Sequence, residues 1–422
     1  MRGLFPHSLL FLFLMPVLLF LILQPGLTAA QESDLYAFDA SSFTKKTWEW
    51  KGEITLTGAA RHYNTSSVLY DSRFQGDDIE HSEEGELSLF LESRWDWDWL
   101  RLIASGEASV FRSTLENSND ESSFLSEAYG QLAVLDPHTL EIGKRLLRWG
   151  KGYAFNPVAF MERPKNPEDP EANREGVWIS QGIWITGERA MLDNTSVTLV
   201  YLPIRDDLND DFRDDTSFEN SWGIKLYGLI DTTDIDLYLV KWSEAEESNW
   251  GVDFASNLTA NFEIHGEYAV FESAEERSHR ALLGLRYLTE SEMTWIMEGF
   301  HDSSALSEED LVELYKSIES GSPAAKKSAL SQVQQNQLIA RDYAYLKVSV
   351  KEPFNWLYFT PSASWQVNIN DSSRTGTLRL SYTPFEDWTF QASYQQSDGN
   401  RYTQWGENAV RNKFSLDLIY SL

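Results

Sequence analysis

The chain contains no cysteine, which excludes a disulfide-stapled scaffold and any site built on thiolate ligands. Long apolar runs are almost as scarce. The longest, Leu9 to Leu23, is 15 residues broken by Pro16, short of the ~20 a helix needs to cross a bilayer. A protein of membrane-spanning helices is therefore excluded. Positive charge is also scarce: 35 Lys and Arg stand against 65 Asp and Glu, a net charge of -30, so nucleic acid is not an expected partner. Histidines number seven and are scattered along the sequence (His7, His62, His81, His138, His265, His279, His301). None pairs with another at helix or strand spacing in a carboxylate context, and no glycine-rich phosphate loop occurs, so no metal and no cofactor is expected.

What is present begins with an export signal. Residues 1–30 combine Arg2, the short apolar run and the small residues Thr28-Ala29-Ala30 before a cut at Gln31, the layout of a secretory signal peptide removed from the mature chain. Residues 31–47 then read as a periplasmic N-terminal segment and 48–422 as one domain. Aromatic residues make up 14% of the chain, 16 of them Trp, although apolar residues as a whole are only 42%. A soluble core does not need that many tryptophans.

Along the domain the hydrophobic pattern has period two. Leu100, Leu102, Ala104, Gly106, Ala108 and Val110 alternate with Arg101, Ser105, Glu107 and Ser109, and similar alternation recurs at 220–230, 260–271 and 375–383, the mark of strands with one apolar and one polar side. Counting every such segment predicts about 18 strands (16 to 18). Their connections alternate between short turns, as at Asp96-Trp97-Asp98 and Pro353-Phe354-Asn355-Trp356, and long polar loops, as at 63–85, 151–176, 204–219 and 302–341. A soluble β-sandwich or β-helix would also alternate. The two-ended rhythm favours an all-β fold, a closed antiparallel transmembrane β-barrel, because backbone groups in lipid must all be paired and a closed ring has no free edge. Trp95, Trp97, Trp99, Trp356 and Trp388 cluster at the short turns, where an aromatic girdle is expected.

The last nine residues, FSLDLIYSL, alternate to the end, with Phe414, Leu416, Leu418, Tyr420 and Leu422 on one face. Here the chain resembles Gram-negative outer-membrane barrels, whose final strand commonly carries such a pattern; the final residue is Leu422 where that family usually has Phe. The resemblance implies an outer-membrane location, recognition by the barrel-insertion machinery, and lipid and lipopolysaccharide as surroundings. A homo-oligomer is left open.

One stretch runs against the overall charge. Lys144, Arg145, Arg148, Lys151, Arg163 and Lys165 fall within 22 residues that hold a single acid, Glu162, and Pro157, Pro164, Pro167 and Pro170 lie in or just beyond them. So much proline excludes a helix or a central strand, so residues 151–176 are expected to form a long outer loop after a strand ending near Trp149. Gly143-Lys144, Trp149-Gly150 and Asn156-Pro157 are similar to a motif of porin-like outer-membrane families and, faintly, of alginate-export barrels. The resemblance implies an inward-folded loop whose six cations narrow a channel for small polar or anionic solutes. Two further readings stay open: cations facing outward to bind lipopolysaccharide phosphates, and a non-conducting barrel serving as an assembly or adhesion scaffold.

Three other features stand apart. Residues 205–215 carry six aspartates without the Gly and terminal Glu of a calcium loop, and read as a solvated loop. Ser307 and Asp310 form a capping box ahead of Leu311, Leu314, Tyr315 and Ile318 at helical spacing, and a second helix starts after Pro323, so 305–340 is expected to be a helical hairpin that plugs the lumen, caps it or binds a partner. His301-Asp302-Ser303 weakly resembles the His-x-Ser pair of outer-membrane phospholipase. Ser304-Ala305 replace that family's Asn-Gly and no partner for the His is evident, so an outer-membrane lipid hydrolase is only a remote alternative and no enzyme is expected.

Overall fold

The computed structural model describes residues 47–422 other than 116–118, 136, 189–191, 206–207, 210–211, 213–219, 243–246 and 274–275. The expected signal peptide, residues 31–46 and most of the aspartate-rich loop lie outside these.

Eighteen strands follow one another: β1 (Trp48–Tyr63), β2 (His81–Asp96), β3 (Leu100–Ser113), β4 (Asn119–Leu135), β5 (His138–Arg145), β6 (Val177–Ile185), β7 (Asn194–Leu202), β8 (Ser221–Ile230) and β9 (Thr233–Trp242). The second half comprises β10 (Ser248–Thr259), β11 (Phe262–Glu272), β12 (Arg277–Leu288), β13 (Met293–Asp302), β14 (Asp342–Val350), β15 (Phe359–Asn368), β16 (Arg374–Phe385), β17 (Trp388–Asp398) and β18 (Val410–Ser421). Each strand pairs antiparallel with its neighbours in sequence, and β18 returns to β1 with Leu56 opposite Leu418 and Ala60 opposite Phe414. The ring is closed, so no strand edge is left unpaired in lipid.

The period-two pattern decides which way each side chain faces. Leu56, Leu89, Leu91, Leu102, Val110, Leu237, Leu239, Leu283, Leu378, Phe414 and Leu416 are exposed on the outer wall, where hydrocarbon rather than water is the natural solvent. Polar residues alternate with them toward the lumen. At the rim of short turns Trp95, Trp97, Trp99 and Trp356 are exposed; Trp356 stacks on Phe359 with ring centroids 4.4 Å apart, and Trp388 lies 4.7 Å from Tyr420.

Two differences from expectation matter for the site. The strand expected to reach Trp149 stops at Arg145, because Gly143 adopts φ +139°, where a Cβ would sit 2.2 Å from the Ala128 carbonyl oxygen, and the ladder ends just beyond it. The inward-running loop therefore starts at residue 146 rather than 151. Among the described residues three α-helices, α1 (Val68–Phe74), α2 (Glu308–Ser320) and α3 (Pro323–Gln335), lie in long loops. The capping box at Ser307 and Asp310 is formed, and Leu311, Leu314, Tyr315 and Ile318 are the buried stripe of α2. They join one apolar cluster with Val68 of α1, Tyr343 and Tyr345 of the inner wall, Trp405 of the β17–β18 loop and Ala154 and Phe155. Of the options for the hairpin, it caps: its apolar face seats on residues inside the barrel mouth.

Candidate functional site: a loop anchored across the lumen

Residues 146–176 contain no strand or helix, yet Trp149, Ala154, Phe155, Val158, Phe160 and Met161 are among the most buried side chains of the protein. Apolar side chains can be buried inside a barrel only against its inner wall. Trp149, Val158, Phe160 and Met161 pack on Val200, Tyr238, Val240, Trp242 and Ala269, and Phe155 stacks on Phe300 at 4.9 Å.

Buried backbone without a ladder needs other partners, and two wall carboxylates supply them. Glu267 of β11 accepts the N–H groups of Lys151 (2.7 Å) and Gly152 (2.6 Å) on Oε1 and of Val158 (3.2 Å) on Oε2. Glu298 of β13 accepts Tyr153 on Oε1 and Ala154 (2.8 Å) and Phe155 (3.3 Å) on Oε2, while Nε2 of the buried His265 lies 3.0 Å from Oε1. Six successive or near-successive amides thus converge on two buried anions. Charge-assisted bonds of this type are the stronger kind.

The loop then reaches the far wall. β14 stands nine positions from β5, half the ring. At the tip Glu171 pairs with Lys347 of β14 at 2.8 Å and accepts the Tyr153 hydroxyl at 2.7 Å, Asp169 meets Arg379 of β16 at 3.4 Å, and Glu168 accepts from Gln395 of β17 and the Trp405 indole. Burial opposes ionisation of Glu171, but the Lys347 and Tyr153 hydrogen bonds and the Lys347 and Arg379 charges outweigh it and hold the carboxyl below the ordinary glutamate range. On the way back Asn173 donates to Glu107 of β3 at 3.0 Å, and the Gly176 N–H to the Ser126 carbonyl at 2.8 Å.

The six cations read from the sequence are gathered here, but none stands as an unopposed pore charge. Lys144 and Arg163 share Glu175, Arg145 pairs with the buried Glu141 and covers the Tyr129 ring at 4.6 Å, and Arg148 meets Glu127 at 3.4 Å. Lys151 is 3.0 Å from Asp236, which also faces Lys225 at 3.3 Å; burial works against its charge, yet Asp236 and Asp253 raise its pKa. Lys165 donates to the Gly152 and Tyr153 carbonyls, and burial, with the Arg174 charge second, lowers its pKa. Five of the six thus face a carboxylate, whereas Lys165 is held by backbone carbonyls.

The two halves of the lumen differ accordingly. Under the loop Asp236, Asp253, His265, Glu267 and Glu298 are buried. Along β16–β18 and β1–β3 the inward-facing Thr55, Thr57, Glu86, Ser88, Glu107, Gln391, Gln395, Lys413 and Asp417 all keep access to water. On these strands Glu53, Glu86, Glu107 and Asp417 form no ion pair, and Lys413 and Arg411 are cations without a carboxylate, among the described residues. Sequence reasoning missed these groups because each is a single polar residue in an alternating strand.

His301 has a carboxylate partner that its local sequence does not reveal: Nδ1 lies 2.7 Å from Asp342 across the β13–β14 pair, while the Ser303 hydroxyl accepts the His279 amide at 2.8 Å. Among the described residues no group of three or more His, Cys, Asp or Glu side chains converges on a metal-sized position.

No known protein family matches the chain by sequence, and no curated protein does. Solved structures do match. Pseudomonas aeruginosa OccK5 (OpdH) superposes with a TM-score of 0.53 at 11% identity over 89% of this chain and 98% of that one. The outer membrane protein opdK of the same organism gives 0.52 at 9% over 89% and 98%, and its OpdQ 0.51 at 9% over 90% and 99%. At such identities the likeness is one of fold, the closed 18-stranded barrel of outer-membrane proteins.

Proposed function

We propose that the protein is a porin-like outer-membrane channel for passive passage of small polar solutes, narrowed by loop 146–176, with its path along the β16–β18 and β1–β3 wall. The observation that carries this reading is the division of the lumen: one half is filled by a loop fixed to wall carboxylates, and the other keeps polar, water-accessible side chains. Fixed charge in a narrow pore biases which ions enter. Since the loop cations are neutralised locally and the unpaired groups on the path are mostly carboxylates, the geometry favours neutral and cationic solutes over the anions that a bare run of Lys and Arg would attract.

A sealed scaffold is the second reading, favoured by the seating of α2 on the mouth. Single-channel recording on the refolded protein in planar bilayers, with reversal potentials in a salt gradient, separates them. Cation-preferring steps are expected. Absence of current from protein shown to be folded and inserted would overturn the channel.

A further inference from the structure

His62 and His81 are separated by α1 and its loops in sequence, yet they are direct partners across the β1–β2 ladder. Their Nδ1 atoms lie 3.2 Å apart and their ring centroids 4.7 Å apart. Two nitrogens each about 2.0–2.1 Å from one tetrahedral zinc ion would be about 3.3–3.4 Å apart, so the rings already stand close to chelating separation. Glu80 Oε2 is 3.8 Å from Nε2 of His81, the position from which a carboxylate orients a metal-binding imidazole and leaves Nδ1 to the metal. Asn412, opposite His62 on β18, has a buried side-chain oxygen with no hydrogen-bond partner.

The location is also informative. His62 shares the outward parity of Trp50 and Leu56, and His81 that of Leu87 and Leu89, so both face away from the lumen. His62 lies twelve residues beyond Trp50 along β1; at about 3.3 Å per residue and a tilt of about 40°, that is a rise of about 30 Å, just past an apolar band about 25 Å tall. The pair therefore sits at headgroup level, where water and ions have access.

We propose that His62 and His81 form a divalent transition-metal site of the zinc class at the outer rim, chelating through Nδ1, with the Asn412 oxygen as a third ligand and water in the remaining position. Imidazole suits zinc, nickel and copper rather than calcium or magnesium. Protons compete with the metal for imidazole nitrogens, so binding weakens in acid.

The test is calorimetric titration of the untagged, refolded barrel in detergent with zinc chloride at about pH 7.5, repeated at about pH 5.5, below the usual imidazole pKa. One site is expected, lost in acid, weakened at least about tenfold in His62→Asn and in His81→Asn, and unchanged in His279→Asn. Heat-modifiable electrophoretic mobility verifies that each variant is folded. No zinc binding by the parent protein, or binding that survives both rim substitutions or disappears in His279→Asn, would overturn the proposal.

Discussion

The backbone N–H of Gly152 donates to Glu267 Oε1 at 2.6 Å, joining loop 146–176 to the eleventh strand of the barrel. Glycine is required at that contact, since a Cβ would lie 2.1 Å from the Phe155 carbonyl oxygen and 2.8 Å from Leu282 Cδ1. How the loop is held therefore depends on a wall carboxylate and on the absence of a side chain facing it.

Removing that carboxylate should free the loop. Glu267→Ala leaves the Lys151, Gly152 and Val158 amides without an acceptor, each a loss of about 1–3 kcal/mol when a buried donor is stranded. Conductance is expected to rise and its fluctuations to grow, with a lower unfolding temperature. Unchanged conductance in the folded variant would show that the loop does not set the aperture.

Gly152→Ala tests the same joint without changing charge. The clash with Phe155 displaces the loop, so conductance should shift in the same direction as in Glu267→Ala while the reversal potential stays put. Paired recordings of the two variants check this.

Selectivity should follow the unpaired groups. Replacing Glu86, Glu107 and Asp417 together by Gln, Gln and Asn is expected to abolish cation preference, whereas Arg148→Gln, which leaves Glu127 without its cation, should preserve or raise it. Reversal potentials decide between them, and the opposite pattern would return the selectivity to the loop cations.

The tip should resist mild acid. Because the carboxyl of Glu171 is held below its ordinary value of 4.5, its docking contributes fully above that value and is lost as pH falls through the lower folded value. Current traces should thus be unaltered by this contact from neutral pH down to about 4.5, with tip release only below. Glu171→Gln should show the released behaviour already at neutral pH.

The cap rests on a small apolar core. Ile318→Ala truncates a fully buried side chain of α2 and should destabilise the cap by about 2–4 kcal/mol, seen as faster proteolysis within 305–340 while the strands stay protected. Equal protease resistance in variant and parent would argue against the packing of α2 on the mouth.

The sequence by itself determined the wall. Period-two alternation, short turns and a terminal alternating strand are local properties, and side-chain parity alone decides what faces lipid and what faces the lumen, so about eighteen strands and the α2 helix with its capping box were legible without coordinates, whereas the place of that helix was not. The proline-rich segment was legible as a loop, and its cations as a group. What the loop meets was not, because Glu267, Glu298 and Asp236 stand on strands far along the chain, and each looks locally like any polar residue of an alternating strand. Closing the ring sets them beneath the loop, where they hold its backbone amides and Lys151. The same holds for His62 and His81: scattered in sequence, they become neighbours only when the ladder register brings β1 and β2 together.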